Sequence, residues 1–181
     1  MAINLQKGQR VEIGLRKVAV NLGWDVNTNS GYDFDLDASA FMLGENKKLP
    51  LDEFFVFYNN QESPDHAVKS SGDDLDGDEG ETLTVNLDLV DPRVNEIIFT
   101  VTIHDAEARR QNFGQVHNSY MSICNEETGE EIAKYDLDED FSVETAVEFG
   151  RLYRRNGQWK FEAMGNGCRG GLQALVNKYV G

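Results

Sequence analysis

Cysteine, proline and histidine are scarce in this chain of 181 residues: two, three and three respectively. Cys124 and Cys168 lie far apart, with no CxxC partner, so neither a thiolate metal site nor a disulfide framework is indicated. No Ser/Gly/Pro-rich linker divides the chain, and one domain spanning residues 1–181 is expected. No apolar run reaches the length of a membrane span, and residues 1–15 carry Lys7, Arg10 and Glu12 in place of an apolar leader. An intracellular, thiol-reduced protein with no stable membrane insertion is therefore expected. Bases are also few: 17 against 32 acids, for a net charge of -15. Such a field repels nucleic acid and attracts cations.

What is present is a hydrophobic content of 40%, arranged in short runs broken by turns. Residues 18–24, 34–43, 53–59, 82–89, 96–104, 120–125, 131–135, 147–155 and 158–163 read as strands, with a shorter one near Val68. In residues 34–43, Phe34, Leu36, Ala38, Ala40 and Met42 alternate onto one face. In residues 82–89, Leu83, Val85, Leu87 and Leu89 point inward. The β-branched run at 96–104 suits a central strand covered on both faces. Asn156-Gly157 between two such runs is a strong hairpin signal. Residues 105–111 are expected to form a helical turn or two, with Asp105 as cap. Leu172, Leu175, Val176 and Tyr179 have helical spacing and predict a short C-terminal helix. About nine strands with minor helical turns and one short helix predict an all-β, two-sheet sandwich.

The acids are clustered. Asp33, Asp35 and Asp37 alternate, so in a strand they share one face. No Lys or Arg occurs between Lys17 and Lys47 to offset their repulsion. A second cluster places Asp73, Asp74, Asp76, Asp78, Glu79 and Glu81 in nine residues, also without a base. Gly72, Gly77 and Gly80 let the backbone turn there and present carbonyls. With Asp25 and the Asn59 and Asn60 amides, the clusters offer the all-oxygen shell of six to eight donors that calcium takes. They lack the imidazole and thiolate donors that zinc or copper prefers. The loop is not an EF-hand: the required Gly and Glu positions fall on Ala38 and Gly44 counted from Asp33, and on Glu79 and Val85 counted from Asp74.

Other features carry less. His104-Asp105 could supply a base to a metal-dependent hydrolase, but no nucleophile elbow accompanies it. A calcium-dependent, membrane-binding module of the C2 kind would need apolar or basic loop tips, and residues 72–80 offer only Leu75. Trp24 and Trp159 read as core residues. Arg109, Arg110, Arg151, Arg154 and Arg155 read as partners for the many acids.

Several motifs follow one another in order along nearly the whole chain. They are Leu22-Gly23-Trp24-Asp25, Asp33-Phe34-Asp35-Leu36-Asp37-Ala38-Ser39, Phe57-Tyr58-Asn59-Asn60 and Ser71-Gly72-Asp73. Thr102-Ile103-His104-Asp105-Ala106, Asn112-Phe113-Gly114-Gln115-Val116, Leu152-Tyr153-Arg154 and Asn156-Gly157-Gln158-Trp159-Lys160-Phe161 continue the series. Together these motifs resemble the TerD-type tellurium-resistance and general stress protein family. The resemblance implies a calcium-binding β-sandwich, one or two ions, and a non-enzymatic cytoplasmic role in tellurite and stress resistance alongside other stress-response proteins. By position it assigns Asp25, Asp33, Asp35, Asp37, Asn59, Asn60 and Asp73 to the metal site. The second loop is shorter than the family pattern and ends Asp78-Glu79-Gly80-Glu81, where Glu81 stands for the final family Glu and Gly80 replaces an Asp.

Overall fold

The computed structural model describes residues 3–24, 36–57, 60–70, 81–103, 120–136, 145–168 and 170–180. Twelve strands are present among them: β1 (Ile3–Asn4), β2 (Arg10–Glu12), β3 (Lys17–Gly23), β4 (Leu36–Leu43), β5 (Phe55–Val56), β6 (Val68–Ser70), β7 (Glu81–Asn86), β8 (Glu96–Ile103), β9 (Tyr120–Asn125), β10 (Glu131–Asp136), β11 (Ala146–Arg155) and β12 (Gln158–Cys168). A helix, Gly171–Tyr179, follows. The first sheet has the order β1-β10-β9-β3-β7-β6, and the second β2-β12-β11-β8-β4-β5. All pairings are antiparallel except β1 with β10. The fold is therefore the expected two-sheet sandwich.

The apolar periodicity accounts for the layers. On the first sheet Val18, Val20 and Leu22 of β3, Leu83 and Val85 of β7, and Met121 and Ile123 of β9 are buried, and the residues between them are mostly half-exposed. Among the described residues, that sheet buries chiefly its inner face. The second sheet differs: all eight residues of β8 are buried, as its β-branched composition predicts for a strand covered twice. Its outer face is covered in part by the C-terminal helix. Tyr179 packs on Phe41 at 4.9 Å, and Phe41, Phe55 and Phe57 continue as stacked rings 4.4 and 4.3 Å apart.

Three expectations need correction. The run at 53–59 is not one strand: Asp52–Phe54 is a 3-10 turn, and β5 has two residues. The Asn60 side chain donates to the carbonyls of Glu53 and Phe55 at 2.9 and 2.8 Å, which holds the chain in a turn that the aromatic run conceals. The alternation at 82–89 stops at Asn86. There the side chain accepts from the Asp88 amide, a 3-10 turn forms over Leu87–Leu89, and Leu89 is 47% exposed. The third is an omission: β1 and β2 are edge strands of two and three residues, too short to show a period. The Asn156-Gly157 hairpin forms as predicted, with positive φ at both residues (55° and 77°) and Arg155 paired to Gln158. His104, His117, Arg109, Arg110 and the helical turn predicted at 105–111 lie outside the described residues.

Candidate functional site

Strand register brings many chain ends to one end of the sandwich. The end of β3 meets the starts of β7 and β9 through Leu22 with Glu81 and Gly23 with Tyr120. The start of β4 meets the end of β8 through Leu36 with Ile103. The start of β11 meets the ends of β8 and β12 through Ala146 with Thr102 and Cys168. Both acidic clusters run into strands at this end: Asp33, Asp35 and Asp37 lead into β4, and Asp73 to Glu81 lead into β7. Asp25 follows Trp24, which is buried as expected and directly follows β3.

Two of the predicted ligands are described on strands, one from each sheet. Glu81 opens β7 on the same face as Leu83 and Val85, so its side chain enters the space between the sheets, where it is 3% exposed. There its Oε2 accepts a hydrogen bond from the Ala38 amide of β4. β5 pairs with Ala40 and Phe41, so among the described residues the β4 edge at Ala38 has no strand beyond it. A carboxylate from the opposite sheet takes that place. Asp37, the residue before Ala38, sits opposite Thr102 and is 6% exposed. It alternates with Ala38 and so shares the outer face with Ser39 and Phe41.

Burying two acids is costly unless each has a compensating partner. Neither Glu81 nor Asp37 is without one. Among the described residues, no three His, Cys, Asp or Glu side chains come close enough together to hold a metal ion. Asn60, also expected as a ligand, uses its amide nitrogen to hold the 53–60 turn. Asp25, Asp33, Asp35, Asn59, Asp73, Asp78 and Glu79 lie outside the described residues. The donor chemistry of the whole set is hard oxygen, which fits calcium and not zinc.

One further contact at this end escapes a search for acids. A Cβ on Gly23 would lie 2.6 Å from the Tyr120 ring, so the ring packs flush on the end of β3. Lys134 sits over that ring, 4.7 Å from its centroid. Its sequence signal is a glycine at the end of a strand whose alternate residues are apolar.

The profile of the TerD domain matches residues 1–179. General stress protein 16U of Bacillus subtilis (strain 168) is 50% identical, over 99% of this chain and 97% of its own. Tellurium resistance protein TerD of Serratia marcescens is 47% identical over the same shares. A crystal structure of a telluride resistance protein (TerD) homologue from Streptomyces coelicolor A3(2) superposes with a TM-score of 0.74, over 90% of this chain and 96% of that one, at 21% identity. That likeness shows the shared sandwich. With the profile and the two relatives spanning essentially its full length, the chain belongs to the TerD domain family.

Proposed function

We propose that this chain is a calcium-binding, non-enzymatic cytoplasmic protein that acts in tellurium resistance and the general stress response. The observation that carries the calcium reading is the meeting of Glu81 with the β4 edge beside Asp37. It joins the strand entries of both acidic clusters across the two sheets. Asp25, Asp33, Asp35, Asn59, Asn60, Asp73, Asp78 and Glu79 are the further proposed ligands, for one or two ions. The resistance reading rests on the two full-length relatives and their names. Other stress-response proteins are its proposed partners.

Calcium that binds only the folded chain stabilises it by mass action, by about 2.7 kcal/mol at a hundredfold excess over Kd, and so raises its melting temperature. Magnesium holds its waters more tightly and demands octahedral geometry, so a smaller rise is expected. Calorimetry on metal-stripped protein checks this. A calcium isotherm that disappears in an Asp33→Asn, Asp73→Asn double variant is the expected result. No calcium heat at millimolar concentration overturns the reading.

A further inference from the structure

The outer face of the second sheet holds a cleft of about 420 Å³ between the C-terminal helix and the turn after β4. It reaches the far end of that sheet from the acidic clusters. Leu43 and Glu96 pair there, whereas Leu36 and Ile103 pair at the acidic end, seven residues and about 23 Å away along β4. Met164 gives the cleft an apolar surface, over the buried Leu43 and Ile98.

Three glutamates line the cleft, and each is matched within the protein. Glu96 pairs with Lys47 at 2.9 Å and Arg151 at 2.8 Å. Glu148 accepts from Lys178 and from the Tyr179 hydroxyl, both at 2.6 Å. Glu162 pairs with Arg151 at 2.7 Å and with Arg10 at 3.3 Å. The lining bases are four: Lys47, Lys48, Lys178 and Arg151. Lys48 donates to the Lys178 carbonyl at 2.7 Å and makes no ion pair among the described residues.

An ammonium has three donors. Lys47, Lys48 and Lys178 each direct one to a protein acceptor, and the side chains of Lys47 and Lys178 are 69% and 55% exposed. Donors therefore remain on three ammoniums around one cleft, in a lining where bases outnumber acids four to three. This is a local reversal in a chain of net charge -15. A carboxylate ligand would bring one charge and two oxygens. A phosphate monoester brings nearly two charges and three oxygens, which suits three ammoniums.

We propose that this cleft binds a small organic phosphate monoester, its oxyanion on Lys47, Lys48 and Lys178 and its organic part against Met164. Phenyl phosphate and inorganic phosphate, titrated at low ionic strength into metal-stripped protein, test it by amide chemical shifts. The absence of metal keeps the result independent of the calcium reading. Phenyl phosphate should saturate, shift resonances in residues 44–48 and 171–179, and bind more tightly than inorganic phosphate. A Lys47→Gln, Lys48→Gln variant should weaken binding about tenfold, and Lys69→Gln, on the first sheet, should leave it unchanged. If the double variant melts early, Lys48→Gln alone, which breaks no ion pair among the described residues, carries the comparison. Unsaturable shifts, shifts elsewhere in the chain, or wild-type affinity in the Lys47 and Lys48 variants overturn the proposal.

Discussion

At the residue scale, the decisive positions are those where one side chain substitutes for missing backbone. Glu81 completes the β4 edge by accepting from Ala38. Glu81→Ala leaves that buried amide unsatisfied and is expected to cost about 1 to 3 kcal/mol in urea unfolding. Glu81→Gln keeps an acceptor oxygen and should cost less, while removing the charge proposed to hold calcium. Loss of calcium heat with a nearly wild-type urea midpoint would separate the metal role from the structural one. Equal losses in both variants would make Glu81 structural. Gly150 matters for a different reason, the room it leaves. A Cβ there would sit 2.2 Å from the Phe161 ring, next to the β11 irregularity between Glu148 and Gly150. Gly150→Ala should overpack the core by about 1 to 3 kcal/mol, read as a fall of several degrees in melting temperature. The acid clusters announced themselves by composition. Gly150 did not, because nothing local to it distinguishes a glycine under a ring from one in a loose turn.

At the element scale, the C-terminal helix is tied to the second sheet by polar bonds as well as apolar contacts. Leu175 and Tyr179 are buried, the Leu49 amide donates to the Tyr179 carbonyl, and Lys178 and Tyr179 both reach Glu148. Tyr179→Phe keeps the packing on Phe41 and removes one donor to a buried carboxylate. Hydrogen bonds to charged groups contribute about 1.5 to 3 kcal/mol. Faster amide exchange in residues 171–179, with the sheet amides unchanged, is the expected outcome. Exchange that accelerates throughout would show that the helix and the sheet unfold as one unit. The helix itself was legible from the spacing of Leu172, Leu175, Val176 and Tyr179. Its docking was not, because Glu148 is the partner, more than twenty residues earlier, and an acid within a strand gives no local sign of what covers it.

At the scale of the whole molecule, charge links the face to pH. Burial pushes the Glu162 carboxyl up. The hydrogen bond and charge of Arg151, with those of Arg10, outweigh this and hold it below its ordinary 4.5. A carboxyl depressed in the folded state leaves the unfolded chain binding more protons. Its contribution is therefore fully present above 4.5 and is lost as pH falls through the lower folded value. Glu162→Gln should reduce stability by about 1 kcal/mol at neutral pH and flatten its fall below 4.5. Urea midpoints measured across that acid range check it, and an unchanged slope would mean that the pair does not persist in solution. The sequence by itself determined the class of fold, the central place of β8, the Asn156-Gly157 hairpin and the acid-rich entries to β4 and β7. These follow from period and composition, which are local. Only the tertiary structure decided that Glu81 crosses between the sheets to Ala38 beside Asp37, and that four bases and three glutamates share one cleft. Both depend on strand order and register, which arise from pairing between residues far apart in the chain. The acidic clusters are read from the sequence, and the fold brings their strand entries together.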